Sequence, residues 1–362
     1  MQIYKEGKAA INYSDGAFLN PKMSLLRDIS VLFLKSLNAK GASLLDSTAA
    51  TGIRGIRYGL EAGIERITFI DINKDACMKI RSNIKRNRIK AKVIDQSIQE
   101  FAASETGPFD IIDLDPFGSP VPHVHDLLKI SNSETMMMVT ATDTAVLCGA
   151  HYSACIKIYA ARPMHNELCK ESGIRILLGF IAREAAQFNF GIDVRLSISD
   201  LHYMRVFVTL KRGASPAVDS IKRLGFLASC RSCHGFETYG GMVPEVVKRC
   251  PNCGAARELS GPMWLGGLHD RELLTKMLHE KGPYDDAKRY IESIRNEPKD
   301  MFFYSIPALT RSMGIGSVSP KIVVERLRKK GFEASLTQFE KEAVKTSAPL
   351  PDVAGAVRIL KK

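Results

Sequence analysis

The stretch that decides the fold is FDIIDLDPFGSP, residues 109–120. Its first half, from Phe109 to Leu114, is a short apolar run broken by acids, which is typical of a buried parallel strand. The run stops abruptly at Asp115-Pro116-Phe117-Gly118. Ligands in open α/β sheets bind beyond the carboxyl ends of the strands. An acid, a proline, an aromatic residue and a glycine at such an end therefore predict the rim of a pocket.

A second candidate element for the same pocket lies earlier in the chain. Residues 43–59, SLLDSTAATGIRGIRYG, predict a strand that ends near Asp46, a loop of small residues, and a helix that begins around Ile53. Small residues allow backbone N–H groups to approach a ligand at a helix N-terminus. Ala49 and Ala50 stand where a dinucleotide fingerprint would be richer in glycine, so the loop does not match that fingerprint.

The next two predicted strands also end in acidic or amide side chains. The strand at 66–70 ends in Asp71, and the strand at 92–94 ends in Asp95-Gln96. In nucleoside-binding α/β folds an acid after the second strand hydrogen-bonds the ribose hydroxyls. The alternative for Asp71 is a helix N-cap, because the helical stretch 74–86 follows it. Asp95-Gln96 stands where a side chain would meet the exocyclic amine of an adenine.

The alternation of strands and helices predicts an α/β protein with a doubly wound parallel sheet. MMMVT at 136–140 predicts a fifth strand after the one at 109–114. The stretches 192–198 and 203–210 alternate apolar and polar residues and predict a closing antiparallel pair. Seven strands with a late hairpin match the class I (Rossmann-like) methyltransferase fold better than that of a nicotinamide dehydrogenase.

The N-terminal segment predicts irregular structure through residue 22, because Asp15-Gly16 and Asn20-Pro21 are turn signals. A helix follows at 23–37, and Arg27 interrupts its apolar face. Two interpretations of Arg27 remain open at this point: a residue on a solvated helix face, or a clamp for a carboxylate.

Composition limits the class of protein. The chain has 362 residues with 45% hydrophobic and 25% charged side chains, so we expect two or three domains of an ordinary soluble protein. No apolar run approaches the length of a membrane span, and the N-terminus lacks the apolar core of a signal peptide, which together predict a cytoplasmic protein. A net charge of +12 favours a polyanionic partner.

Four of the eight cysteines form a metal-ligand pattern. Cys230-x2-Cys233 and Cys250-x2-Cys253 are separated by sixteen residues. Each pair holds two thiolates on a tight turn, and two such turns complete the tetrahedral coordination of Zn²⁺. Four protein ligands leave no position for a reacting water, so we predict a structural zinc site within residues 226–258. His234 is adjacent but is not needed as a ligand.

The C-terminal part begins after a linker-like stretch at 211–220, and we set the domain boundary near Ser215. This divides the chain into a methyltransferase domain, 1–214, and a C-terminal domain, 215–362. Helices at 285–294, 306–313 and 321–331 followed by a strand at 332–336 suggest a winged-helix-like α+β part beside the zinc ribbon. The basic side chains of the third helix either face phosphates or form a solvated helix face; they are Arg326, Arg328, Lys329 and Lys330.

Together these motifs resemble the tRNA (guanine-26,N2)-dimethyltransferases of archaeal type. The resemblance extends over nearly the whole chain. It rests on Asn20-Pro21-x-Met23 with Arg27-Asp28, TGIRGIR at 51–57, Asp71, DLDPFGSP at 113–120, TATD at 140–143, Arg162-Pro163, and Lys345-Thr346-x-Ala348-Pro349.

The resemblance implies an enzyme that transfers methyl groups from S-adenosylmethionine to the exocyclic N2 of guanine 26 in tRNA. It implies that the cofactor is bound by residues matching Arg27, Arg54, Asp71, Asp95 and Gln96. Asp115, Pro116 and Phe117 would surround a flipped-out target guanine: Asp115 and the Pro116 carbonyl would accept hydrogens of its amine, and Phe117 would stack on the base. We expect tRNA as the partner, no membrane association, no protein partner, and a monomer.

Two alternatives remain open at the level of sequence. An amino-methyltransferase acting on rRNA or DNA would use an acid-Pro-aromatic motif for the same chemical reason. A non-catalytic zinc-ribbon protein with a degenerate cofactor fold would bind nucleic acid without binding the cofactor.

Overall fold

The computed structural model describes residues 2–13, 19–104, 107–200, 202–299 and 302–358. Its central element is a seven-stranded sheet. The strands of the first 212 residues are β1 Gln2–Glu6, β2 Ala9–Tyr13, β3 Ser43–Asp46, β4 Arg66–Asp71, β5 Ala91–Asp95, β6 Ile111–Leu114, β7 Met136–Ala141, β8 Phe190–Asp200 and β9 Tyr203–Arg212. The helices among and just after them are α1 Ser24–Ser36, α2 Ile53–Ala62, α3 Lys74–Asn87, α4 Ile98–Ser104, α5 Val121–Lys129, α6 Thr144–Leu147, α7 Tyr152–Tyr159, α8 Cys169–Gln187 and α9 Ala214–Lys222.

The later elements form two small sheets with helices beside them. They are β10 Leu224–Ser229, β11 Phe236–Gly240, β12 Glu258–Trp264, α10 Arg271–His279, α11 Asp285–Arg295, β13 Phe303–Ser305, α12 Ile306–Ser312, α13 Pro320–Lys329, β14 Ala334–Leu336, β15 Ala343–Thr346 and α14 Leu350–Val357. Among the described helices, none is both long and apolar enough to cross a membrane.

The central sheet confirms the predicted methyltransferase fold. Its strand order is β5-β4-β3-β6-β7-β9-β8, with β3 to β7 parallel and β9 antiparallel to both of its neighbours. All four residues of β6 are buried, as an apolar strand covered on both faces requires. The carboxyl ends of the five parallel strands therefore meet at one edge, where the predicted site residues lie.

The prediction of irregular structure through residue 22 is wrong for residues 2–13, which form the hairpin β1–β2. The free edge of β2 is held by amide side chains of α3. Asn87 accepts from the Ala10 N–H at 2.9 Å and donates to the Ala10 carbonyl at 2.7 Å, and Asn83 accepts from the Asn12 N–H at 2.7 Å. Because these partners are about seventy residues away along the chain, local turn signals could not reveal the hairpin. The predicted turn at Asp15-Gly16 lies outside the described residues.

Glu6 of this hairpin is the centre of a buried ionic network. It accepts from Arg27 of α1 at 2.6 Å and from Arg57 of α2 at 2.7 Å. Arg57 also binds Glu61 at 2.7 Å, and the Tyr284 hydroxyl, just before α11, donates to Glu61 at 2.7 Å. The network joins four elements that are far apart in the sequence.

The C-terminal residues complete the core of the central sheet. Helices α10 and α11 pack against α1, and Leu274 and Ile291 belong to the same apolar cluster as Phe33. The linker predicted at 211–220 is wrong: its first residues end β9, and most of it forms α9, which packs on α8 and β8. Because apolar residues on both sides of Ser215 share one core, the two-domain division stays a prediction.

A second buried ionic cluster joins the C-terminal part to α8. The Lys345 ammonium group lies 3.1 Å from Glu171 and 3.1 Å from Glu297, and Arg175 binds Glu171 at 2.8 Å. All four side chains are at most 2% exposed. Lys345, from the C-terminal Lys-Thr motif, thus links β15 to α8.

The last sheet, β13-β15-β14, is antiparallel and packs with α12, α13 and α14. The order helix, strand, helix, helix, strand, strand from α11 to β15 is that of a winged helix. Three of the four basic side chains singled out around α13 have partners within the chain: Arg326 and Arg328 donate to backbone carbonyls, and Lys330 pairs with Asp352. Lys329 is exposed, with no ion-pair partner among the described residues.

The Glu6 network predicts acid sensitivity. Burial by itself would raise the pKa of Glu6, but the ion pairs with Arg27 and Arg57 outweigh it and lower the pKa from 4.5 to about 2. The stabilisation is therefore complete above pH ~4.5 and is lost as the pH falls towards ~2. We expect Glu6→Gln to lower the melting temperature at pH 7. The difference in melting temperature between this variant and the wild type should narrow as the pH falls from ~4.5 towards ~2.

The control is Asp286→Asn, because Asp286 is a 76% exposed partner of an i, i+3 pair with Arg289. Its melting temperature should stay close to that of the wild type at every pH. A difference in melting temperature between Glu6→Gln and the wild type that stays constant between pH 5 and pH 2 would contradict the role assigned to Glu6.

Candidate active site and metal centre

A cavity of about 690 Å³ opens at the carboxyl edge of the parallel strands. Its walls come from the turns that follow β3, β4, β5 and β6, the start of α1 and the start of β9. The predicted cofactor and catalytic residues that line it are Arg27, Arg54, Asp71, Gln96, Asp115, Pro116 and Phe117. Asp95 does not line it and is exposed beside the end of β4.

Asp115, directly after β6, forms a buried ion pair with Arg54 of α2. The Asp115 Oδ2 atom lies 2.7 Å from Arg54 Nε and 2.6 Å from Arg54 Nη2. Burial would raise the pKa of Asp115, but the charge of Arg54, followed by that of Arg205, outweighs burial and lowers it. The carboxylate is therefore anionic at neutral pH. Its Oδ1 atom has no hydrogen-bond partner within the described residues.

A layer of buried polar groups supports this pair from inside the sheet. Asp113 of β6 accepts from the Tyr58 hydroxyl at 2.6 Å and from Arg205 of β9 at 2.8 Å. Arg205 also donates to the Thr140 hydroxyl of β7 at 2.7 Å. Burial, followed by the charge of Asp113, raises the pKa of Asp46 at the end of β3.

Asp71 holds the small-residue loop in place. Its Oδ2 atom accepts from the Ala50 N–H at 2.8 Å, and its Oδ1 atom accepts from the Asn73 N–H at 2.9 Å. The N-cap of α3 is Asn73, whose side chain accepts from two N–H groups of the first turn. The N-cap alternative for Asp71 is therefore wrong. The contact of Asp71 with ribose hydroxyls stays a prediction. Each of its carboxylate oxygens keeps a further lone pair that could accept such a hydrogen bond.

Arg27 lines the cavity but directs its guanidinium group to Glu6 in a two-pronged ion pair, and it also donates to the Asn20 carbonyl at 3.2 Å. The structure thus replaces the solvated-face interpretation with a buried, paired arginine. Its role as a clamp for a cofactor carboxylate stays a prediction, as do the cofactor contacts of Asp95 and Gln96.

The segment after Asp115 is fixed on two sides. The Gly118 N–H donates to the Thr142 hydroxyl at 2.7 Å, and the Thr142 N–H donates to the Gly118 carbonyl at 2.9 Å. The Ser119 hydroxyl donates to the Tyr159 hydroxyl at 2.9 Å, which donates in turn to Asp143 at 2.9 Å. Phe117 directly precedes these anchors and lies at the mouth of the cavity, with 71% of its surface exposed.

Sequence reasoning missed several residues of the site. The sequence shows Arg205 and Tyr58 only as parts of a strand and a helix. In the structure both donate to Asp113, which precedes Asp115 by two positions. Thr48, whose hydroxyl accepts from the Asp115 N–H at 3.0 Å, is another residue that sequence reasoning missed. Cavity residues to which the sequence analysis assigned no contact in the site include Asn20, Thr51, His123, His202 and Tyr203. Thr142 could have been found from the sequence, because it belongs to the TATD motif at 140–143 that carries part of the family resemblance.

The four predicted metal ligands come together in the ribbon. Their sulfur atoms all lie within 4.8 Å of one another, as a tetrahedral Zn²⁺ site requires. The two Cys-x2-Cys turns share the same backbone hydrogen bond. The Cys230 N–H donates to the Gly235 carbonyl at 2.9 Å, and the Cys250 N–H donates to the Ala255 carbonyl at 2.8 Å. The donor set, four thiols without a further ligand position, fits structural zinc. His234 instead contacts Glu167 at 2.7 Å.

The metal site generates a stability prediction. We expect Cys250→Ser to lose bound zinc and to lower the temperature at which the C-terminal part unfolds, because the metal links two otherwise independent turns. Zinc content is measured by atomic absorption and unfolding by calorimetry. The control is Cys148→Ser, a cysteine outside the cluster, which should keep the metal. An unchanged zinc content in Cys250→Ser would refute the assignment.

Comparison with known proteins agrees with this architecture. The family model described as N2,N2-dimethylguanosine tRNA methyltransferase matches residues 1–358. A tRNA (guanine(26)-N(2))-dimethyltransferase of Thermococcus kodakarensis is 36% identical over 97% of this chain and 95% of its own length. Its counterpart in Methanobrevibacter smithii is 34% identical over 95% of this chain and 91% of its own length.

A solved structure extends the match to three dimensions. Trm1 from Pyrococcus horikoshii, in complex with S-adenosyl-L-methionine, superposes with a TM-score of 0.91 at 34% sequence identity. The superposition covers 98% of this chain and 99% of that one. The chain therefore belongs to the N2,N2-dimethylguanosine tRNA methyltransferase family.

Proposed function

We propose that this protein transfers methyl groups from S-adenosylmethionine to the exocyclic N2 of guanine 26 in tRNA, giving N2-methyl- and N2,N2-dimethylguanosine. Membership of the family over nearly the whole chain supports the reaction and the substrate. The observation that carries the mechanism is the anionic Asp115, buried against Arg54 at the wall of a cavity of about 690 Å³.

The alternatives fit less well. A non-catalytic ribbon protein would have no use for a buried carboxylate kept anionic in a cavity, which costs desolvation energy. An enzyme for rRNA or DNA shares the chemistry, but the relatives that match the whole chain are named for tRNA. The predicted monomeric state and cytoplasmic location stay predictions.

The cavity suits S-adenosylmethionine. Two buried polar atoms of residues that line it, Thr51 Oγ1 and Arg54 Nη1, have no hydrogen-bond partner within the described chain, so a ligand with polar groups would satisfy them. Asp71 would hold the ribose hydroxyls, and Gln96, from the turn after β5, would meet the adenine. When bound, the cofactor supplies an electrophilic methyl group on a sulfonium centre.

The chain's own residues prepare the nucleophile. The lone pair of a guanine amine is delocalised into the ring, so the site must favour a pyramidal nitrogen. In our proposal Asp115 Oδ1 accepts one amine hydrogen, the Pro116 carbonyl accepts the other, and Phe117 stacks on the base. Holding the amine in line with the methyl group contributes on the order of 7–11 kcal/mol at best.

The ion pair with Arg54 determines which role Asp115 has. A carboxylate whose pKa is lowered is a weak base but a permanent hydrogen-bond acceptor. Asp115 therefore orients the amine and polarises its N–H bond, rather than removing a proton before the methyl group is transferred. Once the carbon–nitrogen bond has formed and the carbon–sulfur bond has broken, the positively charged nitrogen would release one proton to Asp115 or to water. The zinc ribbon takes no part in this chemistry.

The test is Asp115→Asn, which keeps the shape of the side chain but loses the charge. We expect it to bind S-adenosylmethionine in a calorimeter and to lose methyl transfer to tRNA by at least ~100-fold. The matched control is Asp110→Asn, near the other end of the same strand, where the carboxylate is 58% exposed and remote from the cavity. Its turnover should be close to that of the wild type.

Substrate class is tested by incubating the wild-type protein with labelled cofactor and separate pools of tRNA, rRNA and DNA, followed by mapping of the modified nucleosides. Label in guanine 26 of tRNA is the expected result. Label only in rRNA or DNA would overturn the substrate assignment, and near-normal turnover of Asp115→Asn would overturn the mechanism.

A further inference from the structure

Helix α7 and the segment after it form an exposed surface that the proposed mechanism does not use. Residues 144–166 contain no aspartate or glutamate, although the whole chain has 39 acidic residues. On α7, Tyr152 is 41% exposed and Ile156, one turn later, is 46% exposed. Lys157 on the same helix is also exposed. The surface thus combines apolar and aromatic side chains with uncompensated positive charge.

Tyr152 is paired with an arginine that has no acidic partner. The guanidinium carbon of Arg162 lies 5.9 Å from the centroid of the Tyr152 ring. Within the described residues no carboxylate forms an ion pair with Arg162. Its backbone is fixed, since Arg162 and Gly261 exchange two hydrogen bonds of 2.8 and 2.9 Å that join it to β12. An exposed guanidinium group therefore lies over an exposed aromatic ring, and the backbone of the arginine is fixed against β12.

This surface is connected directly to the segment that follows Asp115. Tyr159, the last residue of α7, bonds to Ser119 and to Asp143. Tyr152 is seven residues earlier on the same helix, about 10 Å away along its axis at 1.5 Å per residue.

We propose that Tyr152 and Arg162 form a stacking platform for a nucleobase of tRNA that neighbours the target guanine. The inference rests on the proposed function. A guanine that leaves its helix to enter the cavity deprives its neighbours of a stacking partner. Aromatic rings and guanidinium planes are the surfaces on which proteins hold such unstacked bases. Lys157 contributes positive charge for the adjoining phosphates.

A second tyrosine–arginine pair in the ribbon provides the matched control. Arg257 lies 5.5 Å from the Tyr239 ring centroid, but Glu237 accepts from both side chains, at 2.8 Å from Arg257 and 2.6 Å from Tyr239. The two pairs thus have similar geometry. Only the Tyr152 pair is without a neutralising carboxylate.

The experiment compares wild type, Tyr152→Ala, Tyr152→Phe and Tyr239→Ala in steady-state methylation of tRNA. For Tyr152→Ala we expect the KM for tRNA to rise by roughly 5- to 100-fold, the range for loss of one base stack, with kcat little changed. Binding of S-adenosylmethionine and the melting temperature should be unchanged, because the side chain is on the surface. Tyr152→Phe keeps the ring and should restore the KM, and Tyr239→Ala should match the wild type.

A direct readout uses tRNA that carries 2-aminopurine at position 25 or 27. Stacking on Tyr152 should quench its fluorescence in the wild-type complex, and Tyr152→Ala should remove that quenching. The inference is overturned if Tyr152→Ala has the KM and the quenching of the wild type. Absence of tRNA methylation by the wild type itself would instead overturn the proposed function, so the two failures are distinguishable.

Discussion

The ion pair between Asp115 and Arg54 is the constraint on which the rest of the site depends. A buried charge is tolerated only when it is paired and hydrogen-bonded, and removing one partner of such a pair costs about 3–5 kcal/mol. Its two members come from the end of β6 and the first turn of α2, so the pair is possible only if these elements meet at the same edge of the sheet. The charge that the proposed chemistry needs is therefore also a charge that the fold has to accommodate.

The same principle recurs at two other junctions. Glu6 gathers Arg27 and Arg57 where the N-terminal hairpin meets α1 and α2, and Lys345 joins Glu171 to Glu297 where the C-terminal part meets α8. Ion pairs of this kind add little to net stability but strongly disfavour arrangements that leave one charge alone. They specify how the pieces of this protein are assembled, while the apolar clusters supply the free energy.

The parts of the fold that depend on local pattern were predictable from the sequence. Apolar runs that end in Asp46, Asp71 and Asp115 placed those acids at one edge of a parallel sheet, and two Cys-x2-Cys turns predicted the metal cluster. The hairpin at 2–13 was not predictable, because its edge depends on Asn83 and Asn87. The partner of Arg54 was not predictable either. A basic residue in the motif TGIRGIR suggests a contact with a ligand, and only the three-dimensional structure shows that Arg54 pairs with Asp115.

The packing of α10 and α11 on α1 has a consequence for how the protein is made. Helix α1 emerges from the ribosome early, but part of the apolar surface that packs on it belongs to α10 and α11, residues 271–295. The nascent chain must therefore carry an uncovered hydrophobic face while the central sheet, the cofactor loop and the ribbon are synthesised. Folding of the first core becomes complete only after translation has passed residue 295. This makes α1 the segment of the nascent chain where a chaperone would be most useful.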